Sequence, residues 1–505
     1  MPARTNRALK LRMLYANRPE LAVRVGFNGL AQIAPIIVIF ALTPLLLDRL
    51  GLDRFGIWSL ALVILSTLTI LDGGISASLA RFFAIYAARN DRADAGRLLL
   101  GSFLFFVLFG LVLTLVAFPL VPAVTGLLDI PSELEGEAEV VFRWLPPLAT
   151  LAVMANSSAA LLQGNGQFRA LAVTMLASSA TLAVAVIVLV QPGAQLEDLM
   201  IATGLRYAVQ VAMSLVLAAR HLSIRRPLLP SRETLRELWS YTSRVLVSGL
   251  TGFVNTQMDA LVIAAVLPIR YVGLYTIGLQ AASAVRGLPL YAFAPVLTRM
   301  TTIFRMSGRE ATAAEFERLE RRWLPMVLGF GVVAVAAIGF SLPTWLGDDY
   351  VLSGAVAAIL LSGYMVHVGL TGMRTCYVRA VGRPGLETRY SLVWTISNSV
   401  LTIPLALVGG VVGVVAATAA TGVVASVYFV SLCRRREGLQ MVAPGRRWWG
   451  LALAAGGMTV AGELAIVYAD FHGFLALALT GLPALLALVT FAGGLQRSSG
   501  ARLAT

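Results

Sequence analysis

Apolar runs of about 20 residues recur along the whole of this chain, and no other feature of the sequence limits its fold as much. A segment of that length and polarity belongs in lipid, where every backbone N–H and C=O needs an internal partner. Only helices and closed barrels meet that demand. Barrel strands alternate polar and apolar residues over about 10 positions, whereas these runs are continuous, so the segments are helices. Composition agrees. The chain is 58% hydrophobic and 13% charged, against roughly 45–50% and about 25% in a soluble domain.

The runs predict an all-α polytopic membrane protein with about fourteen transmembrane helices. They fall near residues 25–47, 55–80, 98–121, 142–163, 170–190, 199–219, 245–267, 272–298, 325–345, 353–375, 390–408, 411–432, 448–468 and 474–493. The shortest separation is Val408-Gly409-Gly410-Val411-Val412-Gly413, between the eleventh and twelfth.

Charge fixes the orientation. The N-terminus and every second connection are basic, including the stretches around Arg89–Arg97, Arg220–Glu237, Arg299–Trp323, Arg379–Arg389 and Arg434–Arg447. The alternate connections are acidic or neutral, and of the basic residues they hold only Arg49, Arg54, Arg143 and Arg270. By the positive-inside rule the basic side is cytoplasmic and both termini lie inside. The net charge of +14 is then a membrane signature and needs no nucleic-acid partner. The outer connections are short, the longest about 122–141, which leaves no room for a folded catalytic module outside. A cleavable signal peptide is not expected, because the run after the basic N-terminus is long enough to span.

The second half of the chain echoes the first. Arg24 and Asn28 open the first helix as Arg244 and Ser248 open the seventh. The segment around Gly56 and Trp58 returns around Gly273 and Tyr275, and Leu79-Ala80-Arg81 returns as Leu297-Thr298-Arg299, all at offsets of 217 to 220 positions. Two six-helix lobes related by a pseudo-twofold axis along the membrane normal follow, with two added C-terminal helices, and transporters of this plan bind cargo between repeats. The predicted divisions are a basic N-terminus 1–24, an N-lobe 25–219, a cytoplasmic linker 220–244, a C-lobe 245–432, a loop 433–447, the last two helices 448–493 and a tail 494–505.

Ionisable residues within the spans are costly and mark function by default. Asp72, Asp259, Arg206 and Arg286 lie inside apolar runs. Arg24, Asn28 and Gln32 share one face of the first helix, and Arg244, Ser248, Thr251, Asn255 and Asp259 share one face of the seventh. The lining this predicts is cationic, from Arg24, Arg81, Arg206, Arg244 and Arg286, and guanidinium groups suit phosphate. Structural roles remain open beside this one. Asp72 and Asp259 also fit ion pairs or the cap of a broken helix, and Arg24, Arg81 and Arg244 fit interfacial anchors that snorkel to the headgroups. His367 and Glu463 fit local packing. The two cysteines, Cys376 and Cys433, and three scattered histidines offer no disulfide framework and no metal-ligand spacing. No P-loop is present, so no ATP hydrolysis by this chain is expected.

The second-helix stretch, with Gly56, Trp58, Leu71-Asp72-Gly73 and Arg81, resembles the bacterial polysaccharide flippases of the multidrug/oligosaccharidyl-lipid/polysaccharide exporter superfamily. So does the stretch from Asp259 through Gly273 and Tyr275. The likeness covers about residues 20–435. It implies a multi-pass protein of the bacterial inner membrane that acts as a monomeric transport unit and not as an enzyme. The implied cargo is a polyprenyl-diphosphate-linked oligosaccharide, for O-antigen or exopolysaccharide synthesis, moved by alternating access alongside polymerase and export machinery. It further implies arginines that hold the diphosphate, a lipid tail left in the bilayer, and a proton or sodium ion taken up at Asp72 or Asp259, with no cofactor. The rivals are a peptidoglycan-precursor flippase and a cation-coupled multidrug antiporter of the same superfamily. The antiporter is expected to have an acid-rich cavity with few arginines.

Overall fold

The computed structural model describes residues 18–219, 222–223, 230–231, 236–237, 257–290 and 292–440; of these, the side chains of 18–34, 36, 70–74, 77 and 294 are outside the description. All regular structure among the described residues is helical, and eight helical stretches are long and apolar enough to cross a membrane. The protein spans the membrane several times. The chain divides into two compact units, Met1–Phe253 and Val254–Thr505. The two C-terminal spans expected at 448–493 lie outside the described residues.

The first unit holds α1 (Arg18–Leu68), α2 (Ile70–Arg89), α3 (Arg92–Thr125), α4 (Glu135–Gly164), α5 (Phe168–Leu189) and α6 (Leu196–Ala218). α1 breaks at Gly51, whose φ of 76° is readily adopted only by glycine. Its second arm and α2 meet at Thr69, so the predicted second span is two helical pieces. Small residues let α4 pack closely: Ala159 to Leu162 are buried against Leu79, Phe82, Phe83 and Tyr86 of α2 and Leu98 and Leu99 of α3. α3 is the opposite case. Leu104, Leu108, Leu111, Val112 and Leu115 are exposed, as expected of a helix facing hydrocarbon. The sharp turn between α2 and α3 is made by Asn90 in the left-handed region and by Asp91, whose Oδ1 accepts the Asp94 backbone N–H at 3.0 Å.

Three of the four arginines that the charge pattern assigns to the outer side are engaged within this unit. Arg54 forms a two-pronged pair with Glu137 at 3.1 and 2.6 Å, and Arg143 pairs with Glu139 at 2.7 Å. Arg49 donates to the Ile187 and Val190 carbonyls at the end of α5.

The second unit holds α7 (Gln257–Val266), α8 (Arg270–Leu290), α9 (Phe293–Leu346), a short 3-10 turn, α10 (Val351–Ala380) and α11 (Gly385–Glu437). At 1.5 Å per residue, the 53 residues of α11 would run about 80 Å if straight, far more than one bilayer. Gly410, at φ 56°, breaks it, and the chain folds back so that Thr418 meets Asn398. α9 breaks likewise at Gly308, and Arg299 pairs with Glu315 at 2.7 Å across the break. The stretch 299–323, predicted as a connection, is therefore a helical hairpin tip. Its Ala, Glu and Arg content favours helix outside lipid, and Arg318 pairs with Glu315 three residues before it. α10 is the central helix and packs on α8, α9 and α11.

Candidate functional site

The clearest polar centre lies inside the second unit, around Asp259. α7 presents this carboxylate to the interior, where it is buried. From α8, the Tyr275 hydroxyl donates to Oδ2 at 3.3 Å; from the second arm of α11, Thr418 Oγ1 lies 2.6 Å from the same oxygen. Thr418 Oγ1 is also 3.0 Å from Oδ1 of Asn398 on the first arm, which lies 3.2 Å from Thr402 Oγ1 and 3.3 Å from Thr421 Oγ1. The reversal at Gly410 makes the meeting of the two arms possible. Asp259 Oδ1 and Asn398 Nδ2 have no hydrogen-bond partner. No arginine or lysine pairs with Asp259 among the described residues. The centre is thus an anionic cluster of oxygens with one carboxylate oxygen unsatisfied, chemistry suited to a proton or a small hard cation. Among the described residues there is no grouping of three or more His, Cys, Asp or Glu that would hold a transition metal.

A cation stands nearby in the same unit. Arg286 of α8 lies with its guanidinium carbon 4.5 Å over the Tyr364 ring, a cation–π contact, and its Nε has no partner. It has no carboxylate partner among the described residues. The buried Tyr364 of α10 interacts electrostatically with both Arg286 and Asp259. One turn further, buried His367 has Nδ1 2.9 Å from Ser426 Oγ and its ring 4.6 Å from Trp394. His367 is a packed, hydrogen-bonded core residue, as its sequence context implied.

The other predicted site residues belong to the first unit or lie beyond description. Arg206 of α6 is half-buried, 5.4 Å over the Tyr207 ring, and its Nε has no partner. Arg81 of α2 is exposed. Arg24 and Asn28 lie on α1, and Asp72 in the first turn of α2, with side chains outside the described set; Arg244 lies outside the described residues altogether. Asp259 and Arg286 are therefore the predicted residues that the structure brings into one neighbourhood.

Sequence reasoning missed two residues around Asp259: Thr418, which meets it, and Asn398, which Thr418 links to it. Asn398 carried a signal, as the one asparagine of the span 390–408, between Ser397 and Ser399. Arg374, near the end of the predicted span 353–375, was not singled out in the sequence. It is wholly buried, paired with Glu320, donates to the Leu370 carbonyl at 2.7 Å, and lies 5.5 Å over the Phe316 ring.

The profile of the polysaccharide biosynthesis proteins matches residues 22–301, more than half of the chain. The chain belongs to that family. Its fold is shared with solved transporters. An inward-facing multidrug resistance MATE transporter of the MOP superfamily aligns with a TM-score of 0.65 at 16% identity, over 81% of this chain and 94% of its own. The lipid II flippase MurJ in an inward closed conformation also gives 0.65, at 14% identity, over 93% and 99%. A MOP-superfamily transporter from Pyrococcus furiosus, described as having a binding pocket of reverse polarity, gives 0.53 at 16% identity, over 82% and 93%. No curated protein sequence matches. The solved structures that share this fold are membrane transporters and a lipid flippase.

Proposed function

We propose that this polysaccharide biosynthesis protein is a flippase that carries an isoprenoid-diphosphate-linked oligosaccharide across the bacterial cytoplasmic membrane by alternating access. The observation that carries this reading is a pair of intramembrane guanidiniums. Arg206 in the first unit and Arg286 in the second each lack a carboxylate partner among the described residues and each leave Nε unsatisfied. A half-buried cation within a span that lacks a counter-charge is costly. An anionic cargo repays that cost, and a diphosphate offers the two-pronged acceptor that guanidinium fits. The rest of the cargo fits the family description: a sugar chain needs a polar route, and an isoprenoid tail does not.

The Asp259 cluster is the proposed coupling site. Its free Oδ1, with Asn398 Oδ1 and Thr418 Oγ1 close by, can accept a proton or a sodium ion. Arg24, Asn28, Arg81 and Arg244 are proposed as further cationic and polar lining, and Asp72 as a second coupling carboxylate. Polysaccharide polymerase and export machinery are the proposed downstream partners. Peptidoglycan-precursor flipping is the second reading, and one observation favours it over multidrug export: the lipid II flippase covers 93% of this chain, whereas the MATE structures cover 81–83%.

A binding experiment tests the cargo class. Polyprenyl diphosphate should raise the thermal midpoint of the detergent-purified protein, while the phosphate-free polyprenol should not. Stabilisation by organic cations, with none from the diphosphate, would transfer the protein to the antiporters.

A further inference from the structure

Near the basic end of the second unit, a cleft of about 290 Å³ is lined by Arg383, Gly385, Leu386, Arg389 and Arg436. Arginines at this end satisfy the positive-inside rule, and exposed cations there can anchor a helix without binding anything in particular. Three features set this cleft apart from such an anchor.

The carboxylates nearest the cleft are already engaged. Glu387 is gripped by Arg379 at 2.8 and 2.6 Å. Glu437 is fully buried and shared between Arg383 at 2.6 Å and Arg309 at 3.4 Å. Arg389 and Arg436 have no acidic partner among the described residues, so the cleft holds an excess of positive charge.

The cleft also lies where α11 begins. Pro384 at its N-cap offers no side-chain hydrogen bond, so the first-turn amides add partial positive charge.

The third feature points to the ligand. Leu392, Ile396, Val400, Ile403 and Leu407 are all exposed. They follow Arg389 at intervals of three and four residues and form a continuous apolar stripe on its face of the helix. A cationic cleft at the foot of a hydrocarbon-facing stripe matches a molecule with a phosphate at one end and acyl chains at the other. Free phosphate would have no use for the stripe.

We infer that this cleft is a binding site for an anionic phospholipid of the leaflet on the basic side, its phosphate held by Arg389 and Arg436 and an acyl chain laid along Leu392, Ile396 and Val400. The site shares no residue with those assigned to cargo and does not depend on what the cargo is. Basic pockets at this depth are a recurring mode of headgroup recognition.

The test uses the full-length protein in neutral detergent, with phosphatidylglycerol, phosphatidylcholine or inorganic phosphate added, read by retained lipid in native mass spectrometry and by thermal midpoint. Phosphatidylglycerol should be retained in preference to phosphatidylcholine. Arg389→Gln with Arg436→Gln should weaken that preference by at least about tenfold, because each basic side chain near an anionic headgroup favours it roughly fivefold. Arg434→Gln with Arg435→Gln removes the same charge from outside the cleft and should leave the preference intact. An equal loss in both double variants would overturn the site in favour of bulk surface charge. Stabilisation by inorganic phosphate equal to that by phosphatidylglycerol would overturn the lipid assignment. Should the glutamine pair fail to fold, Leu392→Ser with Ile396→Ser tests the stripe instead: the preference should fall, and unchanged retention would overturn the proposal.

Discussion

Arg286 shows what one side chain does in a span. Its guanidinium lies over Tyr364 and leaves Nε free. A charge-assisted hydrogen bond is worth about 1.5–3 kcal/mol, which corresponds to roughly ten- to hundredfold in rate. Arg286→Ala is therefore expected to lower transport by that factor or more while the protein still inserts and folds. Arg286→Lys keeps the charge, loses the planar fork, and should be partly active. Because Asp259 is held by Tyr275 and Thr418, adding Asp259→Ala to Arg286→Ala should not restore transport. Recovery in the double variant would make the two a structural ion pair. Asp259→Asn and Thr418→Val should each weaken the dependence of transport on the sodium or proton gradient, measured as the half-saturating cation concentration in vesicles. The charges at these positions were legible in the sequence because an apolar run exposes them. The hydroxyls were not: a threonine in a helix can bond its own backbone, as Thr421 does to the Ala417 carbonyl at 2.7 Å, and so looks locally satisfied. Their meeting at Asp259 depends on the fold-back at Gly410, which no local pattern specifies.

Between elements, small residues and one buried ion pair set the packing of the second unit. A Cβ on Gly278 of α8 would sit 2.6 Å from the Ser353 carbonyl oxygen and 2.6 Å from Val356 Cγ1 on α10, and Ser353 Oγ donates to the Leu274 carbonyl at 2.9 Å. Close approach of backbones through glycine is how helices associate in lipid. Gly278→Val should push α8 off α10, lower the thermal midpoint in detergent, and loosen the Tyr275–Asp259 contact one turn away. The Arg374–Glu320 pair is wholly buried. Glu320→Gln or Arg374→Met alone should destabilise by about 3–5 kcal/mol in unfolding, whereas joint replacement by apolar residues of similar volume should be close to neutral. Spans were readable wherever hydrophobicity was continuous. The hairpin tip of α9 was not, because a polar helix outside lipid carries the same charge signal as a loop.

Across the whole molecule, the recurring apolar runs foretold its multi-pass helical character. Orientation is open to direct test in a background lacking Cys376 and Cys433. Cysteines placed at exposed Ser132 and Gln195 should react with an impermeant thiol reagent from outside, and those at exposed Ser231 and Ser307 should not. Labelling at Ser307 from outside would overturn the assigned sides. The central claim is that the cargo is a lipid-linked oligosaccharide moved between leaflets. The most direct measurement is the leaflet distribution of that glycolipid after the protein is depleted from cells. Accumulation on the cytoplasmic leaflet, with synthesis undiminished and surface polysaccharide reduced, is the predicted result. An unchanged glycolipid distribution and normal surface polysaccharide, accompanied by altered drug sensitivity, would contradict it.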